Sequence, residues 1–106
     1  MDVEKLLNEK DEYIIRLENC LIHYDEISDK LLVETVKIVN EVDEKGKKIF
    51  SNDNARQDEL RRRCEKDFLD KRKLKISLEI LRLKTDALTD KIKFNLVAFY
   101  SDVKNK

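Results

Sequence analysis

The stretch Leu69–Val103, LDKRKLKISLEILRLKTDALTDKIKFNLVAFYSDV, carries two apolar stripes at helical spacing. Residues three, four and seven apart share one face of an α-helix. The first stripe consists of Leu74, Leu78, Leu81, Leu88, Ile92 and Phe99. The second lies on nearly the opposite side and consists of Leu69, Ile76, Ile80, Leu83, Ala87, Phe94 and Ala98. A helix with two apolar faces has to bury both. We therefore expect one face to contact the rest of the chain and the other to contact a partner.

The composition indicates long helices rather than a compact mixed fold. The chain has 106 residues, no proline, one glycine and 43% charged residues. This length suits at most one ordinary domain, and the scarcity of turn-forming residues leaves few places where the chain can reverse. We predict an all-α fold made of a single helical domain, 1–106.

The first half of the chain carries a heptad pattern. In a frame that begins at Leu7, ten of the fourteen a and d positions between Val3 and Ile49 are apolar. A third apolar column occupies g early in the helix and e later, where it includes Leu32. Such a broad face is typical of a helix in a bundle.

The strongest interruption of both patterns lies near Gly46, the only glycine. We predict helix 1 over about 2–45, a turn over about 46–51 and helix 2 over about 52–104. Ser51 is the predicted N-cap of helix 2, and Phe50 with Ala55 would form a hydrophobic staple. One continuous helix is the alternative, because an interior glycine costs only about 1 kcal/mol.

The predicted architecture is an antiparallel hairpin of two long, coiled-coil-like helices that assembles into a four-helix bundle. Residues whose numbers sum to about 97 should then face each other, so that Cys20 lies near Ser77. Everything from Leu96 to Lys106 would extend beyond helix 1. A spectrin-like three-helix bundle is the alternative architecture. It needs a second turn, for which 25–29 and 67–73 are the best candidates.

No motif in the chain indicates catalysis, a cofactor or a metal. His23 is the only histidine, and no set of residues at metal-ligand spacing accompanies it. The serines have no neighbouring base, and a glycine-rich phosphate loop is missing. We expect a protein that is not an enzyme and that needs no cofactor. We also expect no membrane span, and a soluble, intracellular location in the cytoplasm or nucleus.

A basic cluster is the most distinctive polar feature. Residues 1–50 hold 13 acidic and 8 basic side chains, net −5, whereas residues 51–106 hold 10 acidic and 15 basic side chains, net +5. The excess is concentrated between Arg56 and Lys75, where polyanion contact is conceivable. The candidate contacts are Arg61, Arg62, Arg63, Arg72 and Lys73. Pairing of this solvated face with the acidic first helix is the competing interpretation.

The function that the sequence favours is binding. We expect an assembly, scaffold or adaptor subunit whose partner is itself, as a homodimer or larger oligomer, or another helical protein. The expected interface is Leu69, Ile76, Ile80, Leu83, Ala87, Phe94, Val97, Ala98, Phe99 and Tyr100. Two alternative hypotheses are a nucleic-acid-associated accessory protein that uses the basic cluster 56–75 and a hairpin chaperone that clamps a client.

Overall fold

The computed structural model describes residues 2–104, with side chains as far as Ser101. This part of the chain is all-helical, as predicted. It forms α1 (Val3–Asn40), α2 (Asp53–Arg63) and α3 (Glu65–Lys104), and no strand occurs within the described range. Val103, the last residue of the two-striped segment Leu69–Val103, lies among the residues whose side chains are outside this description.

The contacts divide the chain into two compact units. The turn unit runs from Ile22 to Lys75 and contains the end of α1, the connecting loop, α2 and the beginning of α3. The terminal unit combines the residues up to Leu21 with those from Ile76 onward, so it contains the beginning of α1 and most of α3. Each unit has its own apolar core, and each is described by itself.

The core of the turn unit draws on all three helices. Its buried members are Ile27, Leu31, Ile38, Leu60 and Cys64, with Phe50, Phe68 and Leu74 packed against them. Ile38 is the most enclosed and is only 1% exposed. Because burial in this core removes the thiol of Cys64 from water, the pKa of that thiol is raised.

The core of the terminal unit is smaller. Leu6 packs with Leu88 and Ile92, and Val3 and Tyr13 flank them. In α1 the predicted a/d face is only partly correct. Leu6 at g and Leu31 at d are buried, whereas Leu7 at a is 45% exposed and Leu32 at e is 63% exposed. The buried face therefore combines the g and d columns, whereas the a column is only partly covered.

One contact in each unit has the predicted register. In the turn unit, Lys30 Nζ lies 3.1 Å from a carboxylate oxygen of Asp67. In the terminal unit, Lys84 Nζ lies 5.8 Å from the ring centroid of Tyr13. The residue numbers of both pairs sum to 97. Cys20 and Ser77 line one surface groove of the terminal unit, as that register requires.

The predicted end of helix 1 at residue 45 is wrong, because α1 ends at Asn40. The next residues form a tight hydrogen-bonded turn instead. The Asp43 carboxylate accepts hydrogen bonds from the backbone N–H groups of Lys45 and Lys47, both at 2.9 Å. Gly46 adopts the left-handed conformation, with φ +78°. Gly46 therefore lies in a turn, as predicted, but the helix ends before residue 46 is reached.

The second helix begins one residue later than predicted and has a different cap. Asn52 is the N-cap, and its side chain accepts a hydrogen bond from the backbone N–H of Ala55 at 2.8 Å. The prediction of Ser51 as the cap is wrong, and so is the staple of Phe50 with Ala55. An amide oxygen satisfies the free N–H groups of a first helical turn as well as a hydroxyl does.

The predicted continuous helix over 52–104 is also wrong, because the helix is interrupted at Cys64. This residue caps α2 with φ −119° and ψ 30°, and α3 begins at Glu65. No proline or glycine marks the interruption in the sequence. The two segments proposed for a second turn, 25–29 and 67–73, lie inside α1 and α3, so neither is a turn.

Candidate helix-docking surface and basic groove

The two apolar stripes of α3 differ sharply in burial within the terminal unit. On the first stripe, Leu78, Leu88 and Ile92 are at most 8% exposed. On the opposite side, Leu83 is 70% exposed and Phe94 is 74% exposed. The predicted assignment of one stripe to intramolecular packing is consistent with this contrast. The other stripe remains open to solvent.

We call the exposed row on the terminal unit the outer seam, and it has coiled-coil spacing. Its members are separated by four and three residues in alternation, with Asp90 as the one polar position inside the row. In a heptad frame Ile76, Leu83 and Val97 are at d, and the remaining members are at a. The outer seam comprises Ile76, Ile80, Leu83, Ala87, Phe94 and Val97, and all six side chains are exposed.

Charged residues flank the outer seam in a defined order. The g positions beside it hold Glu79, Asp86 and Lys93, so that two of the three are acidic. The e positions hold Lys84 and Lys91. All five side chains are exposed. In coiled coils, residues at e and g choose the partner and its orientation.

The exposed surface of α3 continues toward the end of the described helix. Leu96 is 39% exposed, and Ala98 is also exposed. The rings of Phe99 and Tyr100 pack edge to face, with centroids 5.9 Å apart. Phe99 belongs to the first stripe by spacing yet is 59% exposed. The predicted interface residues of the terminal unit therefore share one feature, namely solvent exposure.

Leu69, the remaining predicted interface residue, belongs to the turn unit and is 50% exposed. Sequence reasoning missed a second set of exposed apolar residues, which lies on α1. Ile15 in the terminal unit is 57% exposed. In the turn unit the set is Ile22, Leu32, Val33 and Val36. The seven-residue interval between Ile15 and Ile22 was a usable signal for this second face of α1.

The five cations proposed for polyanion contact differ in whether carboxylates of the chain already bind them. Arg62 and Arg63 both bind the carboxylate of Glu59, and Arg63 also donates two hydrogen bonds to Glu41, at 2.6 and 2.8 Å. These hydrogen bonds hold the pKa of Glu59 down at about 2 and lower the pKa of Glu41. Neutralised by carboxylates, Arg62 and Arg63 offer little attraction to an external polyanion.

Arg61 and Arg72 instead line an open groove of about 620 Å³ in the turn unit. Lys71 and Lys75 of the basic cluster, which were not among the five candidate contacts, join them, and Lys71 Nζ lies 5.1 Å from the ring centroid of Tyr24. The complete lining is Tyr24, Arg61, Glu65, Phe68, Leu69, Lys71, Arg72 and Lys75. Lys73 is exposed but does not line the groove. The spacing 61, 65, 68, 72 and 75 was the signal for this common face.

The described residues contain no cluster of three or more His, Cys, Asp or Glu side chains that could hold a metal ion. Cys20 and Cys64 are both free thiols, and they belong to different units. Between residues 2 and 104 no helix combines the length and the apolar character needed to cross a membrane.

Comparison with known proteins provides no functional reference. No family model matches the chain, and neither a curated protein nor a solved structure shows a significant match.

Proposed function

We propose that this protein is a non-enzymatic assembly subunit that binds partner helices through the outer seam of α3. In this proposal α1 and the second half of the chain form an antiparallel hairpin, and association completes a four-helix bundle. One observation carries the proposal. Six apolar side chains at coiled-coil spacing lie exposed on the face opposite the buried stripe.

The energetic argument is that water-exposed apolar rows favour helix association. Complete burial of one large, fully exposed apolar side chain contributes about 1.5–3 kcal/mol. The outer seam members are already partly covered, and association also costs translational and side-chain entropy. Six adjacent members nevertheless provide enough apolar surface for a specific contact. Knobs-into-holes packing of the a and d side chains is the expected mode of binding.

Substitution of Leu83 by aspartate tests the role of the outer seam. The probe is a synthetic amphipathic peptide with leucine at its a and d positions and uncharged residues at e and g. The wild-type protein should bind the labelled peptide in fluorescence anisotropy, and Leu83→Asp should abolish binding because it places a charge inside the contact. Circular dichroism checks that the variant remains helical.

Ile15→Asp is the matched control, since Ile15 is similarly exposed but belongs to α1. This variant should bind the peptide as the wild type does. Equal binding by the wild type and Leu83→Asp would contradict the proposal. Complete failure of the wild-type protein to bind the peptide and to self-associate would contradict it as well.

A second candidate function, contact with a polyanion, is favoured by the groove of the turn unit. Four cations line it together with the aromatic rings of Tyr24 and Phe68. If this groove binds nucleic acid, Arg61→Gln with Arg72→Gln should weaken the salt-dependent shift of a labelled duplex. Arg62→Gln should have little effect, because this arginine already binds Glu59.

A further inference from the structure

We infer that the partner of the outer seam is a second copy of this chain, bound in parallel and in register along α3. The inference rests on the proposed function and adds the identity and direction of the partner. Its basis is the order of the charges that flank the seam. In a parallel pair each g residue faces the e residue five positions later on the other helix.

This rule pairs opposite charges on both sides of the dimer. Glu79 would face Lys84 of the second copy, and Asp86 would face Lys91 of the second copy. The two-fold symmetry of the pair repeats both contacts, which gives four attractive pairs. All four side chains are exposed in the terminal unit.

An antiparallel pair of the same helices is disfavoured. In that orientation e residues face e residues, so Lys84 and Lys91 would meet lysines of the second copy in any register that aligns them. Like charges in direct opposition destabilise an interface and select against the wrong orientation. The order of acids at g and bases at e therefore identifies the parallel arrangement.

The position of the seam on α3 also leaves room for two copies. The outer seam lies on nearly the opposite side of α3 from Leu78, Leu88 and Ile92, which are buried in the terminal unit. Two α3 helices can thus meet while the α1 segment of each copy stays on the outside. One contact is unfavourable, because Asp90 at d faces Asp90 of the second copy. Repulsion between these carboxylates should keep the dimer readily reversible.

A pair of charge variants tests the inference. The basic variant carries Glu79→Lys and Asp86→Lys, and the acidic variant carries Lys84→Glu and Lys91→Glu. By sedimentation equilibrium the wild type should be a dimer at micromolar concentrations, and each variant alone should be a monomer. An equimolar mixture should regain the dimer mass, because positions 79 and 86 of each copy then face an opposite charge at 84 and 91 of the other. Loss of folding cannot produce this recovery.

Three outcomes would overturn the inference: a monomeric wild type, charge variants that keep the dimer mass, and a mixture that stays monomeric. The uncharged-flank peptide separates these failures from failure of the proposed function. If the seam binds helices but not a second copy, both charge variants still bind that peptide. Asp90→Asn gives an independent check, since it should tighten the dimer by removing the central repulsion.

Disulfide cross-linking tests the direction. In a Cys20→Ser background, Leu83→Cys should form a covalent dimer on oxidation, because d residues of the same heptad face each other only in a parallel pair. Ile15→Cys is the control at an exposed position outside the seam and should give no such dimer. Absence of the covalent dimer with Leu83→Cys, in a sample that sediments as a dimer, would overturn the parallel arrangement.

Discussion

In the turn unit, side chains from three helices and the loop surround Ile38, which is only 1% exposed. In the terminal unit, Leu83 and Phe94 of α3 remain 70% and 74% exposed. Under the proposed function, the difference corresponds to two ways in which this chain buries apolar residues. The turn unit completes its core with its own residues, and under the proposed function the terminal unit completes its burial by association.

The largest expected effect distinguishes the core of the turn unit from the outer seam. Ile38→Ala should lower the free energy of unfolding by about 2–5 kcal/mol, because it leaves a cavity in the turn-unit core. Ile80→Ala removes the same atoms from the outer seam and should change the stability of the dilute monomer by about 0.5 kcal/mol or less. Urea denaturation measures both values. Equal losses in dilute solution would contradict the distinction between the units.

A smaller effect concerns the loop that closes the turn unit. Gly46→Ala should cost about 1 kcal/mol, because φ +78° is a conformation that residues with a Cβ atom rarely adopt. No other atom lies within 4 Å of the position that the new Cβ would occupy, so the cost is conformational rather than steric. Gly46→Asn is the control, since asparagine tolerates this conformation, and it should be less destabilising in urea. An alanine variant as stable as the wild type would contradict the turn geometry.

The smallest effect is the pH dependence of the turn unit. The pKa of Glu59 is about 2 in the folded protein, against an ordinary value of 4.5, and the pKa of Glu41 is also lowered. A lowered pKa in the folded state stabilises the fold above the ordinary value. This contribution is lost as the pH falls through about 4.5 toward about 2.

Urea midpoints measured along that acid range provide the check. The wild type should lose stability on acidification, and Glu41→Gln should lose less because one of the two carboxylates no longer titrates. The effect should be modest, since the side chains are near solvent and salt screens them. Identical pH profiles for the two proteins would show that the hydrogen bonds from Arg63 to Glu41 contribute nothing measurable.

The sequence predicted the features that depend on periodicity. The opposite burial of Leu88 and Leu83 follows from a repeat of about 3.6 residues, because this repeat places them on different sides of the helix. The pairs with numbers that sum to 97 follow from one reversal of direction near Gly46. Such features extend over many residues, so single exceptions do not obscure them.

The features that escaped prediction depend on a few competing hydrogen bonds. The end of α1 at Asn40 reflects the ability of Asp43 to bind the N–H groups of Lys45 and Lys47, which stabilises a turn over another helical segment. Asn52 rather than Ser51 caps the helix, and the sequence could not distinguish them because asparagine and serine are similarly favoured as N-caps. The interruption at Cys64 has no local explanation in the sequence.

The burial of Cys64 has a consequence for following the protein in solution. Its thiol is 4% exposed and has a raised pKa, so little reactive thiolate reaches the solvent while the core is closed. Cys20, in the other unit, is partly exposed. A thiol reagent should therefore label Cys20 first, and labelling of Cys64 should report the opening of the turn-unit core. The rate at which Cys64 is labelled, compared with the rate for Cys20, should therefore measure local unfolding of the turn-unit core.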